Sequence, residues 1–402
     1  MTKLLNAIIL IVVLASCNDL KKTDKAASAL KQLSSPADSV SAEPYLFTDT
    51  TGLVYLSWVE KTKGISQLKY SVLNNDNWSS PVAITSGSNW FVNWADYPML
   101  ASNGNDLIAH ILQKSAEGKY TYDVKLITSA DKGQYWSDLK ILNDDKKNAE
   151  HGFVSLMPYG DQFFVSWLDG RNTVSEGEDT TAHHEGHQGA MSLRGAVVNK
   201  QGTKTAEWEL DNRVCDCCQT STALTANGPV VVYRNRSEDE IRDMAIVRFI
   251  NGKWTEPKII FPDEWKIAGC PVNGPRAAAQ GNNLAIAWFS SPDKKAQVNI
   301  IFSDDGGASF SKPIRIDEEN AIGRVDVVML NDKSAMVSWM EGAVIKAARV
   351  NKNGTKDSSI IIASSSESRS SGFPQMTKSG NNLIFAWTDD KDKTIKVAKL
   401  TL

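Results

Sequence analysis

The 402-residue chain sets 44 Lys and Arg against 47 Asp and Glu, with a formal net charge of −3. Charges of both signs are interspersed, which reads as ordinary solvated surface. The balance excludes the basic footprint of a nucleic-acid-binding protein, and no acidic tail is present.

The first element in chain order is a short apolar run, "LLNAIILIVVLAS", which follows Lys3 and ends at Cys17. It is too short for an ordinary spanning helix. A positive start, an apolar middle and small residues at the end make a secretory signal. The stretch "LASC" (Leu14 to Cys17) resembles the lipobox of bacterial lipoproteins. That resemblance implies a signal over 1–17 and acylation of Cys17, which would become the mature N-terminus. It also implies attachment to the bacterial cell envelope, at the outer membrane or the periplasmic face, with the membrane as a partner through the lipid. A plain signal peptide is the alternative. Residues 18–42 are polar and rich in small side chains, as a tether should be. Within them "ALKQLSS" offers a candidate ring-closing strand. An exported body lies in a compartment that permits disulfides.

From residue 43 to 402 internal repetition overrides the two or three domains that length alone suggests. An apolar strand ending in an aromatic recurs at Trp58, Trp167, Tyr233, Trp288, Trp339 and Trp387, with a weaker copy, "LIAH", ending at His110. Successive anchors are 48 to 66 residues apart, close to the repeat of four-stranded propeller blades. Upstream of most anchors lies a second apolar strand, such as "FVSLMP" or "VDVVML". The expected fold is therefore all-β, a propeller of seven four-stranded blades. Six remains the alternative if the His110 unit is not a full blade.

Two turns carry a sharper signature. Ser129, Asp131, Gly133 and Trp136 match Ser303, Asp305, Gly307 and Phe310 in the form S-x-D-x-G-x-x-[WF]. This resembles the Asp box of sialidase-like (BNR-repeat) propellers. The aspartate suits a turn whose backbone N–H groups need an acceptor, and the glycine supplies a positive φ. The box is structural. Sialidases clamp the sugar carboxylate with three arginines, the first in the opening blade, and use a tyrosine nucleophile from a late blade. Here no arginine precedes Arg171 and no tyrosine follows Tyr233, so classical sialidase chemistry is not expected. Another glycosidase or lyase needs only two carboxylates across a pocket. Asp96, Asp169, Glu240, Asp243 and Asp326 are candidates, each with an alternative as a turn or surface ion pair.

The middle of the chain is the most unusual. The insert after Trp167 contains His183, His184 and His187, which suit zinc, copper or nickel or are incidental to a polar loop. "NRVCDCCQTS" brings Cys215, Cys217 and Cys218 together, and Cys270 stands at a similar place one repeat later. Both stretches read as innermost strands beside the channel. Four mature-chain cysteines imply two disulfides, with a thiolate site for copper or zinc, or a redox-active thiol pair, as alternatives. Arg171, Arg194, Arg234, Arg242, Arg276 and Arg324 crowd the same region with Asn273, either as self-satisfied ion pairs or as an anion-binding mouth. The expected function is an envelope-anchored propeller binding a glycan, an anionic ligand or a protein partner at the channel mouth. The alternatives are a glycoside hydrolase or exo-sialidase-like enzyme, and a copper- or zinc-handling protein.

Overall fold

Each anchor run buries both of its faces, which only a strand inside a sandwiched sheet can do. In the computed structural model, which describes residues 30–174 and 189–402, every one of the seven runs is the second strand of its own antiparallel sheet. The innermost strands are Ser41–Thr48, Leu100–Asn103, His151–Tyr159, Ser221–Thr225, Arg276–Gln280, Ala321–Asn331 and Gln375–Ser379. They open blades 1 to 7 in chain order, and the result is an all-β, seven-bladed propeller. The His110 unit is a complete blade, which settles the count against six. Among the described residues, helix is confined to two short 3-10 turns at Pro292–Lys294 and Arg369–Ser371. No described helix is long and apolar enough to cross a membrane.

Blade 7 has only three strands of its own. Leu30–Leu33 supplies the fourth, pairing antiparallel with Thr394–Thr401 in the register Leu30 to Leu400 and Leu33 to Val397. The candidate ring-closing strand therefore closes the ring. Asp76, at the rim of blade 1, accepts from Lys31 at 2.7 Å and also from Lys399, which fastens the joint from the neighbouring blade.

The anchors sit between blades at 0 to 3 % exposure. A buried indole N–H calls for an acceptor, and four of the five anchor tryptophans have one, whereas Trp387 Nε1 has none among the described residues. Trp58 donates to Glu60 at 2.8 Å, Trp167 to Asp169 at 2.8 Å, Trp288 to Asp263 at 2.6 Å and Trp339 to Glu341 at 2.9 Å. Tyr233 donates likewise to Asp211 at 2.6 Å. His110 is different. Burial holds its imidazole down at about 3, so the ring is neutral, and Nδ1 accepts the Met99 N–H at 3.2 Å.

The two S-x-D-x-G turns share one set of hydrogen bonds. Ser129 Oγ donates to Asp131 at 2.7 Å and accepts the Gly133 N–H at 2.8 Å, while Tyr135 N–H donates to Asp131 at 3.0 Å. Ser303, Asp305, Gly307 and Ser309 repeat this at 2.8, 2.8 and 2.9 Å. Gly133 and Gly307 take φ of 84° and 88°, where a side chain would be strained. Trp136 then packs edge-on against Tyr70 of blade 1 at 6.1 Å. These turns lie at the end of the ring opposite the blade-to-blade connections.

One placement differs from the sequence reading. Cys215, Cys217 and Cys218 are not in an innermost strand; they lie in the connection between Lys204–Val214 and Ser221–Thr225. Cys270 is in the next connection, ahead of Arg276–Gln280. The polar residues Gln219 and Thr220 follow the cysteines before the strand begins, so counting back from the anchor reached past its start.

A chain beginning at Ser35 lacks the closing strand and leaves Thr394–Thr401 as an open edge. Compared with a chain beginning at Leu30, it is expected to melt several degrees lower and to self-associate in size-exclusion chromatography. Melting temperatures equal within about 2 °C and a shared monomer peak would show that the clasp adds nothing.

Candidate functional site

The channel is lined by a ring of equivalent residues. Tyr45, Ser155, Ser221, Arg276, Asp326 and Gln375 each pair with the residue before their anchor, and Met99 completes the ring in blade 2. Several stitch one blade to the next. Ser155 Oγ accepts the Thr222 N–H at 3.0 Å, Ser221 Oγ accepts the Ala277 N–H at 3.0 Å, and Asp326 accepts the Met376 N–H at 2.7 Å. Asp326 thus does in blade 6 what serine does in blades 3 and 4. Its charge faces Arg276 at 3.9 Å. Burial pushes the Asp326 carboxyl up, with Arg276 opposing.

Above this layer the connections close the channel. Arg276 donates to Tyr97 and, at 3.2 Å, to Gln375; Tyr97 stacks on Tyr45 at 6.2 Å and tilts against Phe373 at 6.1 Å. Phe373 stacks on Trp94 at 5.6 Å. Tyr97 and Phe373 are buried, so the expected mouth at this end is a plug. Below the layer a cavity of about 510 Å³ runs toward the opposite turns, reaching Thr50, Pro158, Leu224 and Ala279.

Three innermost strands bulge where they meet the connection face. The register slips between Ala42 and Tyr45, Gly152 and Ser155, and Gly323 and Asp326. Glu43, Phe153 and Arg324 occupy these bulges with φ of 53°, 52° and 53°, a conformation uncommon for side-chain-bearing residues and associated with functional regions. Two bulges are capped from a neighbouring connection. Asp96 accepts the Phe153 N–H at 2.8 Å, and Asn273 accepts the Arg324 N–H at 2.8 Å. The two caps do the same job, one as an acid and one as an amide. Burial pushes Asp96 up to about 7 against the Phe153 hydrogen bond, and its second oxygen is buried without a partner. Asp96 thus serves as the cap of the Phe153 bulge.

The third bulge opens a cleft. Between blades 7 and 1, on the connection face, Glu43, Lys61, Trp94, Ser370, Asp390 and Lys393 line a cavity of about 520 Å³. Burial pushes the Glu43 carboxyl up to about 7, with Lys61 pulling it down, and Glu43 Oε2 is buried without a hydrogen-bond partner. The Arg324 guanidinium lies 5.2 Å from the Trp94 ring centre. Burial, with Arg369 nearby, pulls Arg324 down to about 10. Its donors go to neutral oxygens, Ser371 Oγ at 2.6 Å and the carbonyls of Gly372, Ser368 and Glu367 at 2.9, 2.9 and 3.2 Å.

Across the face the four cysteines gather. Cys215 Sγ is 3.9 Å from Cys217 Sγ and 3.5 Å from Cys218 Sγ, and Cys270 approaches Cys217 from the next connection without joining this close group. All four are free thiols, so the disulfide expectation is corrected: no disulfide joins Cys215, Cys217, Cys218 or Cys270. Burial pushes Cys215 up to about 11. Against burial, hydrogen bonds from Cys215 and Cys217 hold Cys218 well below the usual thiol range. Beside them burial lifts Glu150 to about 8 despite a 2.7 Å hydrogen bond from Tyr122, with Asp96 adding in the same direction.

The remaining sequence candidates are engaged elsewhere. Asp169 holds the Trp167 indole and Arg171, at 2.8 and 2.7 Å, and lies 3.7 Å from His151. Asp145 accepts from that imidazole at 2.9 Å, so Asp145, His151 and Asp169 form a closed polar knot under Arg171. Arg194 pairs with Glu207 at 2.7 Å on the outer strands of blade 3. Arg234 is a post between blades, donating to the carbonyls of Asn273, Phe289 and Arg242 at 2.7 Å each. Glu240 bridges Arg236 and Arg242 at 2.8 and 2.5 Å. Asp243 is raised by burial and has one oxygen without a partner. His183, His184 and His187, like Cys17, lie outside the described residues.

No protein-family model and no curated protein matches the chain. Among solved structures it is similar to the polysaccharide lyase Uly1, at 9 % identity and TM-score 0.51 over 90 % of each chain. It is also similar to a Penicillium chrysogenum alpha-L-arabinanase, at 9 % identity and TM-score 0.49 over 93 % of this chain and 97 % of that one. A neuraminidase-like protein from A/bat/Guatemala/164/2009 matches at 11 % identity and TM-score 0.48, over 92 % and 91 % of the two chains. At these identities the likeness is one of fold alone, a β-propeller.

The Asp96 cap makes stability depend on pH. The native carboxyl keeps its proton to about 7, whereas the unfolded one releases it near 3.8. Between these values the native state binds more protons, so stability falls as pH rises and then levels off above 7. Asp96→Asn supplies the amide that Asn273 already uses. It is expected to flatten this slope and to raise the melting temperature at pH 8 by a few degrees. A lower melting temperature at pH 8 would show that the ionised carboxylate is the form the fold needs.

Proposed function

We propose that the protein is a lipid-anchored propeller of the bacterial cell envelope that binds a glycan in the cleft between blades 7 and 1. The observation that carries this reading is Glu43. A β-bulge with left-handed backbone turns it toward a cavity of about 520 Å³, and one of its oxygens has no partner. A half-buried carboxyl that keeps its proton to about 7 both donates to and accepts from a sugar hydroxyl. Trp94 offers an apolar wall, while Lys61, Asp390 and Lys393 give a polar rim that suits hydroxyl-rich ligands. The cavity has the size of an ordinary small-ligand site. The "LASC" sequence supports the anchor.

A second reading has its own observation. The Arg276–Asp326 pair closes the end of the channel cavity at 3.9 Å, and a guanidinium there suits an anionic ligand entering from the turn end.

A glycan panel followed by calorimetry tests both. The expected result is retention of one glycan class and a loss of about tenfold or more on Glu43→Ala or Asp390→Ala. Wild-type affinity should weaken as pH rises through about 7, and Glu43→Gln should remove that dependence. Ala279→Trp, which narrows the channel, should leave binding intact; loss in that variant alone would move the site to the channel. Failure of every glycan to bind would sink the glycan reading. Scoring the same mixtures for new reducing ends or unsaturated products separates a binder from an enzyme.

A further inference from the structure

The thiol cluster lies across the ring from the glycan cleft and has no part in it. We propose that Cys215, Cys217, Cys218 and Cys270 together form a thiolate site for one soft d10 metal ion, zinc(II) or copper(I). Three sulfurs lie within 4.8 Å of one another in a buried loop. Two of their separations, 3.5 and 3.9 Å, bracket the value a shared ion would impose. A tetrahedral ion with metal–sulfur bonds of about 2.3 Å spaces its sulfurs about 3.8 Å apart. The fourth cysteine approaches Cys217 from the next connection but stands outside the 4.8 Å group of three, so a four-sulfur set requires its exposed loop to move inward. Four thiolates are the complete ligand set of a closed structural zinc site, and three of them satisfy copper(I).

The surroundings suit charged sulfur. Arg242 Nη1 lies 3.1 Å from Cys215 Sγ. Such an outer partner neutralises and orients a metal-bound thiolate. Glu240 holds Arg242 in place at 2.5 Å, and Asp216 ties the loop down by accepting from Arg236 at 2.7 Å. The loop is thus set before any ion arrives. On binding, each thiol gives its proton to solvent as its sulfur lone pair enters the metal–sulfur bond, with no oxidant or reductant required.

The test uses purified protein, reduced and stripped with a chelator under anaerobic conditions. Zinc(II) and copper(I) are returned in separate competition titrations, and cobalt(II) serves as the optical probe of thiolate ligation. One ion per chain is expected, with a sulfur-to-cobalt charge-transfer band and protection of the thiols from alkylation. Cys270 is exposed, so Cys270→Ser should fold normally. It should weaken zinc by about tenfold or more. Copper(I) would keep three ligands and lose less, which distinguishes the two ions. Thiols alkylated at one rate with and without metal would overturn the proposal. So would two disulfides in the native mass together with no metal uptake after reduction.

Discussion

A tryptophan buried between two sheets must place its N–H, and this requirement organises much of the molecule. The acceptor here is a carboxylate, two residues on in blades 1, 3 and 6 and from a neighbouring segment in blade 5. Taking a carboxylate out of water is costly unless a cation follows it. Lys69 follows Glu60 at 2.5 Å, Arg171 follows Asp169 at 2.7 Å, and Lys346 follows Glu341. Blades 1, 3 and 6 therefore each carry a chain of indole, acid and base. Charges that resemble catalytic parts when viewed one at a time belong to the packing of the ring.

The same economy governs the connection face. Bulges at Glu43, Phe153 and Arg324 turn three innermost strands outward, and capping groups from adjacent connections hold two of them. In blade 3 and blade 6 the freed space is filled, by the Asp96 contact with Gly152 and by the packing of Arg324 on Trp94. Only the blade 1 bulge leaves a carboxyl beside a cavity among the described residues. The plug of Tyr97, Phe373 and Trp94 then separates that cleft from the channel below.

Periodicity made the fold legible. The anchor repeat located all seven second strands, including the weak His110 copy, and the missing outer strand of blade 7 pointed to "ALKQLSS". The cysteine neighbourhood was legible too, because equivalent positions in successive blades are neighbours in space. Its exact element was not, since the ends of strands depend on where turns fall rather than on the repeat. Asp169 could have been recognised as structural. "SWVE", "SWLD" and "SWME" repeat an acid two residues after the anchor, and repetition of that kind marks architecture. The equivalence of Asp326 with Ser155 is harder to see, because the residue types differ and only the register relates them. Glu43 left no signal, because a bulge is a property of backbone pairing and nothing in "SAEPYL" announces it.

The closing strand also has a mechanical side. Leu30–Leu33 runs antiparallel to Thr394–Thr401, and Leu30 emerges beside Leu400, at the end of the ring away from the cleft. A force applied at Leu30 along the strand axis would meet the clasp end-on. It loads the hydrogen bonds of the clasp together, in shear, instead of unzipping them one after another. A load applied at Leu30 would therefore enter at the rim of blade 7, at the end of the ring opposite the face that carries Glu43 and the thiols.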